Sequence, residues 1–65
     1  MKLIINGNEK ELDCENIINL LNSLNLNKDT VAVELNKEIV HRQDFDNTKL
    51  NDNDKLEIVK VVGGG

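Results

Sequence analysis

The sequence has no proline, tryptophan or tyrosine, one phenylalanine (Phe45) and one cysteine (Cys14). A single cysteine cannot close an internal disulfide, and its lack of a pair fits a reducing compartment. Basic charge is sparse. Eight Lys and Arg are scattered among twelve Asp and Glu, for a net charge of −4. Nucleic acid and anionic membrane both need a positive patch, so neither suits this chain. A partner with a basic docking surface suits it better. Long apolar runs are also missing. None approaches the length of a membrane span, and Met1-Lys2-Leu3 leads into a strand pattern rather than a signal peptide. The chain reads as a soluble, cytoplasmic domain.

Glycine is scarce except at one place. Of four glycines, three are the last three residues, Gly63-Gly64-Gly65. Glycine loses the most backbone entropy on ordering and has no side chain to bury, so folding gives no reason for such a run. The expectation is a mobile, thin tail, residues 63–65, directly after the β-branched run Leu56 to Val62. Val62 to Gly65 would reach roughly 13 Å when extended. Such a tail passes down a channel that any Cβ would block and offers its carboxylate to a partner's active site. The plainer alternative is a frayed end or a linker remnant.

What is present reads as one small domain, residues 1–65, built on Ile, Leu and Val. Met1 to Asn6 alternates as a strand, and Asn6-Gly7-Asn8 forms a tight hairpin turn. Glu9 to Asp13 is a short charged strand with Leu12 inward, suited to a sheet edge. Asn16 is a helix N-cap, and Ile17, Leu20, Leu21 and Leu24 make one apolar stripe about two turns long. Asn25 to Thr30 is a polar loop. Val31 to Asn36 alternates again, Asn36-Lys37 turns, and Glu38 to His41 is a short strand. Arg42 to Leu50 is irregular, compatible with one helical turn around Phe45. Asn51 to Asp54 is a turn, and Lys55 to Val62 is a β-rich strand suited to the centre of a sheet. The expected fold is α+β: a mixed sheet of four to five strands, first and last paired in parallel, with one helix on one face.

These residues resemble a known family. The order of elements and the Gly-Gly end are similar to a ubiquitin-like β-grasp domain, and within it to the thiamine-biosynthesis sulfur carrier proteins, the ThiS family. Lys2 to Gly7 resembles that family's opening strand and turn, and Ile17 to Leu21 its helix. Val31 to Asn36 through Ile39 to Arg42 resembles its AVxxNxxIVPR segment. Asn53 to Val59 through Val62 to Gly65 resembles its GDxIEIxxxVGGG close. Three positions depart: His41 stands where proline is usual, Phe45 where tryptophan is usual, and Asn53 where glycine is usual. Asn tolerates the left-handed region, and Phe keeps an aromatic plug.

The resemblance implies a cycle. A ThiF-like adenylating enzyme uses ATP to convert the Gly65 carboxylate into an acyl-adenylate. Sulfur from a cysteine desulfurase or sulfurtransferase displaces AMP, and a ThiG-like thiazole synthase takes sulfur from the Gly65 thiocarboxylate. Gly63 and Gly64 would thread into the partner. The chain would bind no cofactor and no metal, and would be a co-substrate with no catalytic residues of its own.

The outer face of the sheet supplies a docking candidate. If Leu3, Ile5, Val33, Leu56 and Ile58 face the helix, then Ile4, Ala32, Val59 and Val61 face away as a small apolar patch. The bland reading is ordinary strand formers. Cys14 as a persulfide carrier is disfavoured, having no nearby His or basic residue. His41 has no companion at metal-ligand or triad spacing. Asp44, Asp46, Asp52 and Asp54 lack calcium-loop spacing and read as turn chemistry and a solvated face. The rivals are the small subunit of molybdopterin synthase, a protein modifier that forms isopeptide bonds, and a plain ubiquitin-like binding module.

Overall fold

The structure, a computed structural model, describes residues 1–61. Five strands, β1 (Lys2–Ile5), β2 (Asn8–Glu11), β3 (Val31–Leu35), β4 (Glu38–Val40) and β5 (Asp54–Lys60), form one sheet with order β2-β1-β5-β3-β4. β1 and β5 pair in parallel, and every other pairing is antiparallel. The mixed sheet, the central β5 and the edge position of the charged β2 are as the patterning implied.

Each hairpin turns on two residues with positive φ. Ile5 pairs with Asn8 across Asn6 (φ 52) and Gly7 (φ 83). Leu35 pairs with Glu38 across Asn36 (φ 51) and Lys37 (φ 74). Two successive left-handed residues give the turn whose twist matches the flanking strands, and Asn-Gly favours it most. Asn8 therefore belongs to β2 and not to the turn. β2 also ends earlier than expected, at Glu11. Leu12 instead donates its amide to the Met1 carbonyl at 2.9 Å and packs half-buried under the edge.

The helix α1 (Ile17–Ser23) starts where a cap was expected. Asn16 is extended, and its Oδ1 accepts from the Asn19 amide at 2.8 Å. Ile17, Leu20 and Leu21 are buried. Leu24 is not in the helix but caps it, half-buried. The chain then leaves through Asn25 at φ 58, with Leu26 N–H bonded to Leu21 O and Asn25 N–H to Asn22 O. These two bonds form a Schellman closure, with Asn in place of the usual glycine. The expected polar loop after it contains a 3-10 turn at Lys28–Thr30, capped by the Asn27 side chain.

The core lies between α1 and one face of the sheet. Leu3, Ile17, Leu20, Leu21, Val33 and Leu56 are fully enclosed. Phe45 closes the far end, brought in by a 3-10 turn at Arg42–Asp44. Removing such a buried ring would cost about 3–5 kcal/mol. Asp54 departs from the solvated face expected of the acidic turn. It is buried, and its carboxylate accepts from Asn36 Nδ2 at 3.0 Å and from the Asn51 amide at 2.8 Å. A buried carboxylate with such partners is a structural group of the turn. Asn53, at φ 71, occupies the left-handed position that glycine would fill most easily.

Candidate carrier site and docking face

β5 carries the chain from the middle of the sheet toward its C-terminal end. Its alternation puts Leu56 and Ile58 in the core and Glu57, Val59 and Val61 on the opposite face. The Val61 amide donates to Thr30 O at 2.8 Å, so β3 guides the chain to this point. The expected carrier residues Gly63, Gly64 and Gly65 lie outside the described residues, as does Val62.

The outer face gathers the expected apolar residues. Ala32 pairs directly with Val59. Val59 is 58% exposed and Val61 54%. Ile4 is half-buried, between Glu9 on β2 and Lys55 on β5. A further member was missed: Ile39 of β4, 69% exposed, which pairs with Glu34 across from β3. Its signal was its place five residues after Glu34, across a two-residue turn. That spacing tells which side of the sheet Ile39 takes only once the hairpin register is known. Glu34 also pairs with Glu57, so two carboxylates stand directly opposite each other beside this strip. Like charges in that position are mildly destabilising. Among the described residues neither joins a salt bridge.

The remaining chemistry-bearing residues are scattered. Cys14 is buried in the core, with Sγ 3.8 Å from Ser23 Oγ. His41 is exposed at the start of the second 3-10 turn, with φ −74, a value proline also adopts. A concavity of about 840 Å³ lies between α1 and the two 3-10 turns, and the Arg42–Asp29 ion pair lines it at 3.1 Å. No group of His, Cys, Asp and Glu among the described residues is placed to hold a metal ion. No helix among them is long and apolar enough to cross a membrane. The Met1 amine has a perturbed titration. A hydrogen bond from it to Glu11, aided by Asp13, raises its pKa above the ordinary 8.0.

The architecture is that of a ubiquitin-like β-grasp domain of the sulfur-carrier kind. The crystal structure of a thiamine biosynthesis protein (ThiS) from Geobacter metallireducens matches it with a TM-score of 0.84 at 36% identity, over the whole of both chains. The ThiS family model matches residues 3–65, and the chain belongs to the ThiS family. It is 43% identical over 53 residues to the sulfur carrier protein ThiS of Bacillus subtilis, covering 82% of this chain and 80% of that one. It is also 44% identical over 66 residues to a thiazole synthase of Paramagnetospirillum magneticum. That alignment takes in all of this chain but only 20% of the longer relative.

Proposed function

We propose that this chain is the sulfur carrier of thiazole formation in thiamine biosynthesis, and that the Gly65 carboxylate is its working group. The carboxylate oxygen attacks the α-phosphorus of ATP in a partner adenylating enzyme, releasing pyrophosphate and leaving an acyl-adenylate. The outer sulfur of a persulfide, supplied by a cysteine desulfurase or sulfurtransferase, then attacks the acyl carbon and expels AMP, and a reducing thiol cleaves the S–S bond of the acyl disulfide so formed. A thiocarboxylate remains, and thiazole synthase takes its sulfur. The chemistry needs this order because a carboxylate is a poor electrophile until it carries a good leaving group. The chain works as a co-substrate in the cytoplasm and uses ATP only through its partner.

The observation that carries this reading is the family match running through residue 65, on a fold whose central strand leads into the glycines. The apolar strip of Ile4, Ala32, Val59 and Val61 is the surface the adenylating enzyme holds while Gly63 and Gly64 thread its channel. The alignment with a thiazole synthase fits a carrier that works beside that enzyme.

Intact-mass spectrometry tests the proposal. With ATP, the adenylating enzyme and a sulfur source, the chain should exchange one oxygen for one sulfur. Deleting Gly65 should abolish the exchange, and Val59→Asp should slow adenylation while leaving the fold intact. A ladder of conjugates would indicate a protein modifier instead. No change with an active partner would leave a binding module. Sulfur transfer into a pterin rather than a thiazole would place the carrier in molybdopterin synthesis.

A further inference from the structure

The two flanks of β5 are not equally occupied near its end. Hydrogen bonds alternate along the strand. The Val61 amide points to the β3 side, where it meets the carbonyl of Thr30, the residue before β3. The Ile58 amide points to the β1 side. Lys60 is in phase with Ile58, so its N–H and C=O also point to the β1 side. β1 has already ended there, since its last residue, Ile5, pairs with Leu56. The next rung is made by a side chain: Asn6 Oδ1 accepts from the Ile58 amide at 2.8 Å, and Asn6 Nδ2 donates to Ile58 O at 3.0 Å. Beyond this clasp nothing among the described residues reaches the Lys60 backbone. The strand thus presents one open rung, one residue before the end of the described chain.

A recess of about 260 Å³ adjoins the same flank, on the helix side of the sheet. Ile5, Leu24, Leu26, Val31 and Ile58 give it an apolar lining, and Asn6 and Lys60 form its polar edge. An open backbone rung beside an apolar recess fits one kind of occupant. An extended peptide segment can pair its backbone with the rung while one of its alternate side chains fills the recess.

We propose that the adenylating enzyme adds such a segment to the sheet at Lys60, alongside the end of β5, and by that pairing fixes where the glycines point. This rests on the carrier reading above. It adds a contact made by backbone atoms on the helix-side flank, distinct from the apolar strip on the outer face. The Asn6 clasp sets the boundary of the added segment, because Ile58 is already paired and the first free rung is Lys60.

Lys60→Pro is the sharpest test. Proline removes the Lys60 N–H and puts a ring carbon in its place, while the ladder to β3, carried by Val59 and Val61, keeps its donors. Lys60→Ala controls for the side chain. A synthetic chain with an N-methylated Lys60 amide gives the same perturbation without the proline ring. Affinity for the purified adenylating enzyme is measured by calorimetry, and amide exchange of β3 and β5 checks that each variant folds. The proline and N-methyl chains should bind roughly tenfold or more weakly, the equivalent of one lost backbone hydrogen bond of about 1.4 kcal/mol. The alanine chain should stay within about twofold, and the Lys60 amide should exchange more slowly in the complex than in the free chain. Equal binding by the folded proline or N-methyl chain overturns the inference alone. So does an equal loss in the alanine chain, or a Lys60 amide that stays unprotected. Failure of the unmodified chain to bind the enzyme overturns the carrier reading with it.

Discussion

β5 is gripped on its two sides by two hairpins that solve the same problem differently. On one side Asn6 ends β1, and its side chain holds the Ile58 backbone through both its oxygen and its nitrogen. On the other side Asn36 ends β3, with its Oδ1 accepting from the Lys55 amide and its Nδ2 donating to buried Asp54. Both asparagines sit at positive φ at the first position of the turn. One residue type thus makes the turn and extends the ladder at once, because its amide carries the donor and acceptor that a backbone rung would supply. The difference lies in length. β3 runs along β5 from Leu56 to Lys60, whereas β1 stops at Leu56. Among the described residues, one flank is closed to its end and the other is left open at Lys60.

Removing each clasp separately should break the comparison most. Asn36→Ala leaves the Asp54 carboxylate short of a partner and the Lys55 amide without its acceptor. It should lower stability by about 2–3 kcal/mol, read as a fall in urea midpoint. Asn6→Ala loses two bonds to Ile58 in a more open place and should cost about 1–2 kcal/mol by the same measurement. The second turn positions should then shift in opposite directions. Lys37→Gly relieves a side chain at φ 74 and should stabilise by up to about 1 kcal/mol. Gly7→Ala, at φ 83 with open space around a new Cβ, should destabilise by a similar amount through backbone strain alone.

The smallest effect separates the hairpins by charge. The Met1 amine ties the β1–β2 edge to Glu11 and Asp13, and among the described residues no ion pair holds β4. Its pKa is raised by folding, so this contribution is complete below pH 8.0 and fades as pH rises through the raised value. Acetylating the amine should flatten that part of the stability–pH curve and leave the rest unchanged. Because the pair is exposed, the difference should shrink in high salt.

Much of this fold was legible in the chain because its signals are local. Period-two alternation in Lys2–Ile5, Val31–Leu35 and Asp54–Lys60 marks strands with one buried face, and the Ile17, Leu20, Leu21 spacing marks the helix stripe. Asn16 was readable as a cap because a cap bonds within three residues. The end of β2 was misjudged because Leu12 looks like an inward strand residue. Its place is set instead by a bond to Met1 O, which alternation does not report. Asp54 read as solvated because a run of Asp and Asn is usually turn chemistry, and only the arrival of Asn36 over it makes burial tolerable.

What the sequence determined by itself is the kind of domain, the central place of its last strand, and the unusual glycine run that follows. Those depend on composition and on neighbours a few residues apart. What only the tertiary structure decided is which atoms of β5 are already taken. The asparagine that clasps Ile58 lies 52 positions away along the chain, and Ile39 joins the outer face only through its register with Glu34. A hydrogen bond is short and directional, so the occupancy of each rung depends on where the chain brings distant residues together, which local pattern does not encode.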